Sequence, residues 1–165
     1  MKDVNMKRGS TIFLRATVVV MGLIALALCV LLLPAIHAGW GREYPDIAYM
    51  KYPTLFGLGG AAIPFFAALY QAWKLLDYID KNTAFSQASV KSLKYIKYCA
   101  LIISGLFALG LPLVYYVADI EDAPGIMVIG LFFVFASVVI AGFAAVLQML
   151  LQNAIDIKSE NDLTV

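Results

Sequence analysis

Two sets of polar side chains recur at helical spacing in this 165-residue sequence. Lys91, Lys94 and Lys97 follow one another at three-residue steps, and Gln148, Gln152, Asp156 and Glu160 at four-residue steps. On a helix, such steps bring side chains to one face. The lysines are point charges suited to anionic lipid, at about 1 kcal/mol each near a membrane surface. The second set is a line of amides and carboxylates. For Asp156, Glu160 and Asp162 three outlets stand open: the lysines of the same chain, solvent, or a second protein. An exposed ion pair contributes only about 0–1 kcal/mol, so pairing within the chain would not by itself hold this segment.

Groups arranged for catalysis are missing. The sequence holds no H-E-x-x-H, no G-x-S-x-G and no phosphate-binding glycine loop. His37 is the one histidine and has no second ligand type at metal spacing. Cys29 and Cys99 fall at different depths of their segments, which argues against a disulfide, and no C-x-x-C occurs. The expectation is a non-enzymatic protein with no catalytic, metal or cofactor residues. A net charge of +1 gives no footprint for direct nucleic-acid binding.

The elements that carry these groups follow from composition. The chain is 62% hydrophobic and 14% charged, where a soluble domain is roughly half apolar and a quarter charged. Four segments hold the roughly 20 apolar residues needed to cross about 30 Å of hydrocarbon: about Ile12 to Ile36, Pro53 to Leu76, Tyr95 to Ala118, and Pro124 to Leu151. Lipid offers no partner to free backbone groups and no ten-residue alternation suggests a barrel, so the spans must be helices. The fold class is therefore all-α, an integral membrane four-helix bundle in one domain. The uncharged stretch Ala16 to Ile36 is longer than the 7–15 residues of a signal-peptide core, and the first span reads as a retained helix.

Charge placement gives the orientation. Lys2, Lys7, Arg8 and Arg15 precede the first span, Lys74, Lys81, Lys91, Lys94 and Lys97 surround the second loop, and Lys158 follows the fourth span. Only Arg42 and Lys51 lie on the other side, and the loop "ADIEDAPG" has no base. The positive-inside bias predicts both termini and the middle loop on the cytoplasmic side. Arg15 reads as an anchor lifting its guanidinium to the inner headgroups. Trp40, Tyr44, Tyr49 and Tyr52 read as an aromatic belt on the outer side.

Small residues predict how the spans pack. Gly57 and Ala61, like Gly60 and Pro64, are four apart, and so are Ala100, Ser104 and Ala108, and Ser137, Ala141 and Ala145. Such faces let helix backbones approach closely, which predicts a compact bundle, closed as a monomer or leaving a face for a second copy. Pro64 should kink the second span. That kink supports an alternative reading, a small transporter or immunity-type protein with a passage or lipid groove at span two. Against it, no ionisable residue lies in the middle of any span, where pumps and many transporters keep one.

Two features lie on the predicted inner side. Ser86 fits a helix N-cap, with Phe85 before it and Val90 at the fourth helical position as a hydrophobic staple. Ala123 to Ile155 is uncharged and would reach about 50 Å as a helix, so its end must leave the bilayer as an amphipathic tail over residues 148–165. Asn161 is placed to end that helix, with "DLTV" continuing as an extended tail. The predicted docking surface comprises Phe85, Ser86, Lys91, Lys94, Lys97, Gln152, Asp156, Glu160, Asn161, Asp162 and Leu163.

The pairing of "NTAFSQASVKSLKYIKYCALI" with the terminal "AIDIKSENDLTV" resembles the YoaS-like family of bacterial membrane proteins, a domain of unknown function. Its most specific parts are Phe85-Ser86 and the run Glu160 to Thr164. Members of that family are often encoded beside a small Cro-like helix-turn-helix regulator. The resemblance therefore implies a membrane partner for a cytosolic DNA-binding protein, an association of family and not of chemistry.

Overall fold

The computed structural model describes residues 2–163, with the side chains of residues 9–161. Its elements are α1 (Lys2–Glu43), a 3-10 turn (Pro45–Met50), α2 (Lys51–Asp80), α3 (Gln87–Ile120) and α4 (Gly125–Leu163). No strand occurs among the described residues. Four helices are long and apolar enough to cross a membrane. At 1.5 Å per residue the 34 residues of α3 reach about 51 Å and the 39 of α4 about 58 Å, against about 30 Å of hydrocarbon. Both helices therefore project well beyond the lipid core. The helices are longer than the four spans read from the sequence, because lipid thickness limits the apolar stretch and not the hydrogen-bonded one.

Local chemistry explains where the helices start and stop. Ser86 has extended backbone and its hydroxyl accepts from Ser89 N at 3.4 Å, the N-cap bond that launches α3. Phe85 stays 66% exposed while Val90 is buried, so the cap forms without the staple burying Phe85. α2 ends with Asn82 at φ 55°, where Asn82 N donates to Ile79 O and Thr83 N to Tyr78 O. α3 ends the same way, with Asp122 at φ 48°, Asp122 N donating to Asp119 O and Ala123 N to Ala118 O. These are paired C-terminal capping bonds in which asparagine and aspartate take the left-handed position usually given to glycine. α4, by contrast, runs on through Asn161 to Leu163, so the stop predicted at Asn161 is not used. In the fully helical register Asn161 is one more exposed position, and nothing after it forces a left-handed residue. Thr164 and Val165, the end of the predicted extended tail, lie outside the described residues.

Each helix packs on its neighbour in sequence: α1 on α2, α2 on α3, and α3 on α4. Among the described residues no backbone approach joins α1 to α4 or α2 to α4, so the bundle is an open row with α1 and α4 at its edges. Among the glycines the tightest fit falls at Gly130, where an added Cβ would stand 3.1 Å from Val114 Cγ1 and 3.3 Å from Leu111 Cδ2. Ala100 and Ser104 of α3 and Ala141 of α4 are buried, and Ser104 Oγ donates to Val134 O at 3.4 Å. Ala145 is half-buried, and the half-buried Ser137 hydroxyl donates to Phe133 O of its own helix.

The small-residue faces are used differently from expectation at three positions. A Cβ on Gly57 or Gly60 would meet nothing within 4 Å, and Ala108 is exposed. On α2 the glycine that a neighbouring helix reaches is Gly59, 4.0 Å from Leu33 Cδ1, while Ala61 is buried. Spacing of four identifies a candidate face but not which way the helix is turned. α2 is continuous through the half-buried Pro64.

Candidate functional site

Antiparallel order brings the N-terminal turns of α1 and α3 and the C-terminal turns of α2 and α4 to one end, which carries Arg15, Lys74, Lys81, Lys91, Lys94 and Lys97. The opposite end carries Glu43, Asp46, Asp119, Glu121 and Asp122 against Arg42 and Lys51. We call them the basic and the acidic end.

At the basic end the first structure is a charge clamp between α1 and α2. Arg15 Nη2 lies 3.3 Å from Asp77 Oδ1 and 2.8 Å from Asp80 Oδ2, and Lys81 Nζ lies 2.7 Å from Asp77 Oδ2. The guanidinium also sits over Trp73, 5.2 Å from the ring centroid. Arg15 thus has two carboxylate partners and an aromatic one, where the sequence reading gave it to lipid headgroups. The signal was available: Asp77 and Asp80 stand three apart at the same membrane depth as Arg15 once the spans alternate in direction. The bond to the Asp77 carboxylate holds the Lys81 ammonium above the usual lysine range.

Among the described residues the α3–α4 side is built without ion pairs. Lys97 Nζ donates to Gln148 Oε1 at 3.2 Å and lies 5.0 Å from the Tyr98 ring centroid. Gln152 Nε2 donates to Asp156 Oδ1 at 2.8 Å, one step along the predicted polar line. Ser159 Oγ donates to Asp156 O. The Lys97–Gln148 register, carried on, sets the first turns of α3 opposite the Gln152–Asp156 turn, so most of the α4 extension runs beside α3. No ion pair joins Lys91, Lys94 or Lys97 to Asp156 among the described residues, which removes the self-pairing outlet for that carboxylate. Glu160 and Asn161 are exposed, and the side chains of Asp162 and Leu163 fall outside the described residues.

Two open grooves flank α3. One, about 400 Å³, lies between α2 and α3 and is lined by Gln71, Lys74, Tyr78, Lys91, Ser92 and Tyr95 among others. The second, about 530 Å³, lies on the α4 side and adds Gln87, Val90, Lys94, Tyr98 and Gln148 to Lys91 and Tyr95. No carboxylate lines either groove. Exposed Lys91 and Lys94 therefore face space bounded by phenols and amides, an environment that binds anions or hydrogen-bonding surfaces. Phe85 stands at the turn just before α3.

The comparisons with known proteins meet this geometry over nearly the whole chain. Residues 35–165 match the family described as "Protein of unknown function (DUF2975)". The chain belongs to the DUF2975 family. A relative in Bacillus subtilis (strain 168), "Uncharacterized membrane protein YoaS", is 59% identical over 160 residues, covering 97% of this chain and 100% of that protein. The match to DUF2975 includes both grooves and the α4 extension; Arg15 of the clamp lies before it but within the region shared with YoaS at 97% coverage. No solved structure matches the chain.

Proposed function

We propose that this DUF2975 protein is a non-enzymatic, multi-pass protein of the bacterial inner membrane that docks a small cytosolic helix-turn-helix regulator. In this reading the basic end faces the cytoplasm, as the positive-inside bias indicates. One observation carries the reading. At that end α3 and α4 outrun the lipid core together, with Phe85 66% exposed at the turn before α3 and Lys91, Lys94 and Asp156 exposed along the two helices. An exposed aromatic at the same end as exposed cations and acceptors is the composition of a protein-binding patch, where a few anchors hold most of the affinity. The nature of the partner rests on the family resemblance alone.

The test is affinity capture from detergent-solubilised membranes with a tagged full chain and a copy lacking Lys158 to Val165. The full chain retains the regulator, and the truncated copy retains roughly tenfold less, the loss of one or two anchor contacts. Equal capture by both refutes the docking surface. A reporter fused after Val165 that is accessible only from outside the cell refutes the orientation.

A further inference from the structure

We propose that the groove between α2 and α3 binds the phosphate of an anionic phospholipid headgroup, with Lys74 and Lys91 as its cationic ligands. Four observations converge on it. The groove has two lysines and no carboxylate in its lining, and the acids of the same stretch of α2, Asp77 and Asp80, are engaged by Arg15 and Lys81. Its positive charge is therefore uncompensated by the protein.

Neutral donors stand beside the cations: the phenols of Tyr78 and Tyr95 and the amide of Gln71. A phosphate with a glycerol headgroup takes this mixture of charge and hydrogen bonds. Lys74 lies 5.1 Å from the Tyr70 ring centroid, a contact that steadies its long side chain without neutralising it. Ala88, in the first turn of α3, lines the same groove, so the positive end of that 34-residue helix adds to the field.

Depth identifies the source. The apolar stretch of α2 gives out at Leu76 and that of α3 begins near Tyr95, so the groove straddles the level where headgroup phosphates lie. The two helices that form it expose apolar side chains, including Ile79, Leu101 and Ile102, which suits a ligand carrying acyl chains. The second groove shares Lys91 and Tyr95 across α3 and gives the headgroup a neighbouring basic surface. Lys74 has no part in the docking surface of the proposed function, so the two readings fail separately.

The experiment is native mass spectrometry of the full chain in a neutral detergent, titrated with phosphatidylglycerol and phosphatidylcholine of identical acyl chains. The full chain binds phosphatidylglycerol roughly twentyfold more tightly, each lysine accounting for about fivefold. In K74Q the preference falls about fivefold, in K74Q/K91Q it disappears, and in K74R/K91R it returns. Equal binding of the two lipids, or an unchanged preference in K74Q and in K74Q/K91Q, overturns the proposal. Displacement of phosphatidylglycerol by inorganic phosphate at millimolar concentration also overturns it, assigning the groove to soluble phosphate. K74Q is exposed and keeps the readout if the double variant fails to fold.

Discussion

At the acidic end, polar and aromatic groups satisfy one another. Trp40 is buried and its Nε1 donates to Ile47 O at 3.1 Å, its ring lies 5.2 Å from that of Tyr44, and the Tyr44 hydroxyl donates to Glu121 Oε1 at 2.9 Å. At the basic end Arg15, Asp77, Asp80 and Lys81 close a clamp between α1 and α2, and Lys97 bonds to Gln148 between α3 and α4. Across α3, Lys74, Lys91 and Lys94 have no ion pair among the described residues. The two ends of the same helices thus differ in kind: hydrogen-bonded aromatics join one, with no ion pair among the described residues, and ion pairs join the other. Across α3 the basic end leaves cations facing open grooves, and partners should be sought there.

Substitutions can break or sharpen that contrast. The largest effect is expected at the sealed end: Trp40→Ala removes a buried ring and the donor to Ile47 O, at a cost of about 3 kcal/mol. Reversible unfolding in mixed micelles, followed by the remaining Trp73, measures it. A loss no greater than that of an exposed position would show that this end is not sealed. Arg15→Ala comes next. It removes both ion pairs and the contact over Trp73, the latter worth on the order of 0.5–2 kcal/mol. Faster amide exchange confined to α1 is the expected sign, and faster exchange spread evenly over α3 and α4 would contradict a local clamp.

The smallest effect is one of pH. Donation to Glu121 is the main cause, with burial and the charges of Glu121 and Glu43 behind it, that raises the Tyr44 phenol above its ordinary value of 10.0. A raised folded value means the contact contributes fully below the unfolded value and is lost as pH rises through the folded one. Tyr44→Phe should therefore be slightly less stable than the natural chain at neutral pH, with the difference vanishing as pH rises through the raised folded value. A difference that persists in strong alkali would place the stabilisation in ring packing against Trp40 and not in the hydroxyl.

Much of this fold was legible because lipid imposes it. Four apolar stretches of sufficient length fix four helices, and Ser86 announces the start of α3 by a bond its hydroxyl makes within its own turn. What composition does not carry is rotation about each helix axis, so Gly57 and Gly60 were indistinguishable from Gly59, which lies against Leu33. The tight approach at Gly130 was missed for a related reason: a single glycine has no four-residue companion to announce it. The clamp at Arg15 joins residues 62 apart in sequence, and only depth matching relates them. The grooves depend on the relative placement of α2, α3 and α4, which no single segment encodes.

Because every helix rests on the one before it, the row has a consequence for biogenesis. A chain leaving the ribosome can seat α2 on α1, then α3 on α2, then α4 on α3, without waiting for a distant segment to close a ring. Assembly from such local steps is fast and exposes few unfinished surfaces. The last joint made is also the one on which the second groove depends, so that groove is complete only when translation of the final helix is complete.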